Sequence, residues 1–178
     1  TLGIAEFDQA RILFLKDHGL SITNALTSLV SRYPNSLAGE KALVLLRAID
    51  ESASIDSKPM LNSIVTDKPQ TRLGNCAALL LLGAHAREGN YSEALAIAQS
   101  LINSTDPGVE KHALYNAGNI AWSFLGDKEL GTGYFQTLVK KYPEDPLSMS
   151  CLATMGLEPT SPPKNPSKKT ICSFPIWK

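Results

Sequence analysis

Aromatic residues are scarce in this chain, at 7% of its 178 residues, while alanine and leucine are abundant. Sheets favour aromatic and β-branched side chains, whereas alanine and leucine head the helix scale, so the balance points to helix. Long apolar runs are missing too. No stretch reaches the roughly 18–20 unbroken apolar residues with which a helix crosses a bilayer, and membrane insertion is not expected. Charge of one sign is also absent, because 17 basic and 17 acidic side chains cancel. Residues 1–156 hold 13 basic and 16 acidic groups; residues 157–178 hold four lysines against Glu158. Neither part makes a strong basic field, which removes the electrostatic basis for nucleic-acid binding.

Cysteine is limited to Cys76, Cys151 and Cys172, with no CxxC pair. An odd count cannot complete an internal disulfide framework. Cys76 and Cys151 read as small buried residues on helices, and Cys172 as an exposed tail residue. No signal peptide is visible at Thr1, where the chain opens without a methionine, and this decides nothing about compartment.

What the chain does have is proline at near-equal steps. Pro34, Pro69, Pro107 and Pro143 stand 35, 38 and 36 residues apart. Two lie in near-copies, Arg32-Tyr33-Pro34-Asn35-Ser36 and Lys141-Tyr142-Pro143-Glu144-Asp145. A period in the mid-thirties marks helix pairs stacked into a solenoid. Apolar spacing predicts helices over residues 4–16, 22–33, 35–51, 58–66, 71–87, 92–103, 107–125, 128–142 and 147–155. Gly19, Gly89-Asn90 and Gly126-Asp127 supply turns. Asp106 is placed to cap a helix that starts with Pro107, and Glu144-Asp145 to cap the last one. The expected fold is an all-α, right-handed α-solenoid of about four helix-turn-helix repeats over residues 1–156. Its final short helix covers the last apolar face. Residues 157–178, with five prolines, read as a Pro/Lys/Ser-rich tail or linker. The apolar end at 171–177 either folds back on the helices or contacts a further domain.

The third and fourth pairs carry a family likeness. Gly89-Asn90-Tyr91-Ser92-Glu93-Ala94-Leu95 resembles the turn and second-helix opening of the tetratricopeptide repeat. In that family Ala94 would be small because the paired helices meet there. In the fourth pair Gly126-Asp127 matches the turn, Gly131 the small residue, Phe135 the second-helix aromatic and Pro143 the closing proline. Tyr115 and Trp122 match the first-helix aromatics. Gly118-Asn119 stands where the family has Leu-Gly, and Leu138 where it has Ala. The likeness covers about residues 35–155. The Tyr-Pro closures are also similar to those of bacterial envelope proteins, including outer-membrane assembly lipoproteins and large secreted proteins with a C-terminal sorting domain.

The resemblance implies a non-enzymatic, monomeric scaffold. It would hold a protein or peptide on a concave face lined by first helices, as an extended peptide or a helix. Arg87, Asn116 and Ser123 are the candidate partner-binding residues, being polar positions on otherwise apolar helices. A periplasmic, outer-membrane-associated or secreted location fits the envelope likeness. The alternative is a structural spacer within a larger secreted or cell-surface protein.

Catalytic patterns are absent from the sequence. His18, His85 and His112 fall in three different pairs, with no HExxH. Cys76 and His85 lie nine residues apart on one helix, about 13 Å of rise, and cannot form a dyad. No GxxxxGK[ST] or GxGxxG loop occurs. Gly131-Thr132-Gly133 reads as close helix packing, and Asp50-Glu51 and Glu144-Asp145 as helix-end acids. Tyr115, Trp122, Tyr134 and Phe135 read as stacking between helices. No cofactor or metal is expected.

Overall fold

The fold is described from a computed structural model over residues 3–16 and 20–157. The tail from residue 158, with Cys172 and the apolar end, lies outside the described residues, as do His18 and Gly19. The described residues form nine α-helices and no strand. They are α1 Ile4–Lys16, α2 Leu20–Arg32, α3 Leu37–Ser52, α4 Lys58–Asp67, α5 Arg72–Arg87, α6 Tyr91–Leu101, α7 Pro107–Asn119, α8 Lys128–Lys141 and α9 Pro146–Thr154. Helix ends fall within two residues of expectation, with one exception. The helix expected over 107–125 changes pitch at Ile120 and finishes as a π-helical stretch, Ile120–Phe124. There the Leu125 N–H donates to the Ile120 carbonyl at 3.0 Å, one residue wider than the α pattern.

The chain divides into two compact units, Thr1–Leu80 and Leu81–Lys178, with the boundary inside α5. In the first unit Leu26, Leu29, Ala38, Ala42, Leu43, Leu46 and Leu61 are buried. Pro34 follows α2 and cannot continue it. The Ser36 N–H donates to the Tyr33 carbonyl at 3.1 Å, and the Ser36 hydroxyl caps α3 by accepting the Gly39 N–H at 3.2 Å. Gly39 is required at this point, because a Cβ there would lie 2.3 Å from the Tyr33 carbonyl oxygen. The device returns 35 residues on. Thr71 accepts the Gly74 N–H at 3.0 Å, and a Cβ at Gly74 would lie 2.0 Å from the Lys68 carbonyl. The two turns are joined, since the Leu73 N–H donates to the Pro34 carbonyl at 2.9 Å. The second pair thus repeats the closure of the pair before it.

The second unit holds two apolar clusters. Leu82, Ala86, Ala94, Leu95, Ala98, Ala117 and Ile120 form one. Leu114, Phe135, Leu138 and Cys151 form the other, with Tyr115, Trp122 and Tyr134 packed against it. The expected aromatic group is therefore part of the packing, and the Trp122 and Phe135 rings lie 6.1 Å apart, tilted. Ala94 is completely buried, as its small size requires. Gly118 leaves space for the Phe135 ring, whose Cε1 would lie 2.3 Å from an added Cβ. Gly131 likewise faces the Trp122 Cβ at 2.8 Å.

The closing turn matches the first unit's in its backbone. The Asp145 N–H donates to the Tyr142 carbonyl at 3.1 Å, and Asp145 caps α9 through the Leu147 N–H at 3.0 Å. At the third position of α9 the glycine is replaced by Ser148, whose hydroxyl donates to that same Tyr142 carbonyl at 2.6 Å.

Candidate interaction surfaces

The three residues expected to bind a partner part company in the structure. Arg87 ends α5 and is exposed, and Ser123 is exposed within the π-helical stretch. Asn116 is only 5% exposed. Helix α7 is packed by α6, α8 and α9, so a polar residue on it need not reach solvent. Asn116 is part of the enclosed side of α7, and the surface candidates reduce to Arg87 and Ser123.

Two acids that were not among the expected site residues are buried instead. Glu40 and Glu110 both stand four residues after a helix cap, Ser36 and Asp106. Glu40 accepts from the Arg72 Nε at 2.6 Å. Glu110 accepts from the Lys141 Nζ at 2.5 Å and from the Tyr142 hydroxyl. Lys141 and then Tyr142 hold the Glu110 carboxyl below its ordinary range. Burial first, then the hydrogen bond to Glu110, pushes the Tyr142 phenol up to about 12. Lys111 pairs with Asp145 at 2.5 Å beside this group. These are anchors between a first helix and the following closure, and their charges are already matched. The signal in the sequence was an acid at the fourth helical position, with a basic residue 31 or 32 residues later.

The groups tested for chemistry stay apart. Cys76 and His85 share α5, as expected. Cys76 is buried and presents no thiol at the surface. Cys151 is a free thiol with no exposure, and burial pushes its pKa up to about 12. Burial and then the neighbouring Lys111 charge lower the pKa of His112. Nδ1 of His85 and Nδ2 of Asn119 are enclosed without a hydrogen-bond partner. Among the described residues no cluster of His, Cys, Asp and Glu is arranged to hold a metal, and no helix is long and apolar enough to cross a membrane.

Three exposed apolar side chains cluster at one turn of the second unit. Phe124 is 40%, Leu125 43% and Leu130 38% exposed, around the Gly126 turn. The Phe124 ring stacks on Tyr91 with centroids 4.5 Å apart. Along α8 a shallow groove of about 470 Å³ is lined by Asp127, Glu129, Leu130, Gly133, Tyr134 and Thr137. Gly133 contradicts the packing expectation for Gly131-Thr132-Gly133. A Cβ at Gly133 would meet nothing within 4 Å.

A family model of the tetratricopeptide repeat matches residues 112–145, which run from within α7 through α8 to the closing turn. No curated protein and no solved structure matches the chain.

Proposed function

We propose that this chain, a tetratricopeptide-like helical repeat protein, is a non-enzymatic, monomeric scaffold that binds a protein or peptide on the face of its first helices. Repeats of this family generally mediate protein–protein interaction, and the match at residues 112–145 carries the reading. Arg87 and Ser123 are its surface residues, since both are polar and exposed on helices whose remaining positions are largely buried. A guanidinium and a hydroxyl suit backbone carbonyls or carboxylates of an extended peptide.

The test is capture by the immobilised full chain from cytosolic and envelope fractions kept separate, beside an Arg87→Ala/Ser123→Ala variant. Both side chains are exposed, so the variant should retain parental helicity by circular dichroism. A partner bound by the parent and lost by the variant supports the scaffold. Equal capture by both removes this face from the function.

A second reading concerns place. The likeness of the Tyr-Pro closures to those of bacterial envelope proteins is what favours a site outside the cytosol. A periplasmic, outer-membrane-associated or secreted location, including a spacer role in a larger cell-surface protein, rests on it. Detection of the full chain in separated cytosolic, periplasmic, outer-membrane and culture-medium fractions tests this. Recovery of the chain in the cytosolic fraction alone would sink it.

A further inference from the structure

The groove on α8 carries two features that packing does not explain. The first is its glycine. A glycine in a helix interior costs stability relative to alanine, so it needs a local reason. Gly118 and Gly131 have one, since a Cβ at either would collide with Phe135 or with Trp122. Gly133 has none among the described residues, yet its missing side chain keeps the groove open. Glycine is also the residue that lets another backbone come close.

The second feature is charge. Asp127 and Glu129 line the groove; Asp127 caps α8 by accepting the Leu130 N–H at 2.9 Å with Oδ1, Glu129 stands in the first turn, and neither acid has an ion pair among the described residues. The intervening Lys128 does not neutralise them. Its Nζ lies over the Trp122 ring, 5.7 Å from the centroid. Between the acids and Gly133 the floor is apolar. Leu130 is 38% exposed, and Tyr134 is held by the Gln99 Nε2, which donates to its hydroxyl at 2.8 Å. Leu130, Gly133, Tyr134 and Thr137 form one stripe along the helix.

We propose that this groove docks a short peptide segment bearing an apolar side chain next to a lysine or arginine. The apolar side chain lies on Leu130 and Tyr134, the peptide backbone passes over Gly133, and the cation faces Asp127 and Glu129. The site is separate from Arg87 and Ser123 and stands or falls independently of them.

Three capped peptides test it on the full chain, followed by amide chemical shifts: Ac-Ala-Leu-Lys-Lys-Ala-amide, its Leu-Glu-Glu counterpart and its Ala-Lys-Lys counterpart. The first should shift the Gly133 and Thr137 amides saturably, and the other two should bind at least about tenfold more weakly. Asp127→Asn with Glu129→Gln keeps an oxygen to cap α8 and should weaken binding about tenfold and remove its salt dependence. Gly133→Leu should raise the thermal midpoint while abolishing binding, a pair of effects that misfolding cannot produce. Arg87→Ala/Ser123→Ala should leave the titration unchanged. The proposal is overturned by equal binding of the Glu peptide, by normal binding to Gly133→Leu, or by no saturable shift up to about 10 mM peptide. Groove signals that move with protein concentration alone would place a second copy there and overturn it as well.

Discussion

The turn after Tyr33 and the turn after Tyr142 share a Tyr-Pro step and a backbone path but are secured differently. After Tyr33 the backbone carbonyl accepts the Ser36 hydroxyl at 3.0 Å, from the cap ahead of the helix, and is approached at the third helical position by a bare glycine, Gly39. After Tyr142 the equivalent carbonyl accepts a hydroxyl hydrogen bond from Ser148. The tyrosine side chains differ too. Tyr33 donates to Glu6 at 3.1 Å, beside an Arg32 contact at 3.4 Å, and both charged side chains are largely exposed. Tyr142 donates to the buried Glu110. One closure relies on space and a solvated acid; the other relies on an enclosed polar group whose every oxygen is used. A repeat can therefore keep its backbone path while moving its stability from shape to charge.

Removing each acid gives the widest separation between the two closures. Glu110→Ala strands Tyr142 and Lys141, and should cost about 2–3 kcal/mol in denaturant unfolding. The estimate sits toward the low end for a buried pair because Lys141 is 49% exposed and regains water. Glu6→Ala breaks an exposed pair and should cost under about 1 kcal/mol. Equal losses would erase the distinction.

The glycines come next. Gly39→Ala and Gly74→Ala each force a methyl against a backbone carbonyl and should cost about 1–3 kcal/mol. Gly133→Ala, in open space, should instead stabilise by about 0.5–1 kcal/mol. Thermal midpoints of the three variants would test the opposite signs. Ser148→Ala should cost about 1–2 kcal/mol, because it leaves the Tyr142 carbonyl with one partner fewer in a buried setting.

Acid titration sharpens the comparison further. A lowered folded-state pKa means that the unfolded chain binds the proton more readily, so stability is lost as pH falls. Decline should begin below about 6.5 through His112 and continue below about 4.5 through Glu110. Glu110→Gln should flatten the second limb of a stability–pH curve and leave the first. Tyr142 works at the other end, where stability should fall as pH rises from 10 towards about 12.

Local chemistry was legible in the sequence. Asp106 before Pro107, Asp145 before Pro146 and glycine at the 89 and 126 turns announce helix ends through contacts spanning three residues or fewer. Ala94 and Gly131 were legible through their family positions. Contacts across a repeat were not. Glu40 and Glu110 look like ordinary helix-start acids until partners 31 or 32 residues away are brought to them. Asn116 looks like a surface residue because its polarity is visible and the enclosure of α7 is not. Gly131 and Gly133 are alike as letters, yet two residues turn a helix by roughly 200°, so one meets Trp122 and the other meets open space. The change of pitch at Ile120 is likewise announced by no glycine, proline or cap in the sequence.

Cys151 turns the last helix into a clock. Its sulfur is sealed between α8 and the body of α9, and its thiolate is vanishingly rare at neutral pH. An alkylating reagent must wait for α9 to lift away before it can react. With reagent in excess, the pace of labelling at this one position records how often the end of the second unit opens. Slowing of that pace by a bound partner would time the contact without a fluorophore or an isotope.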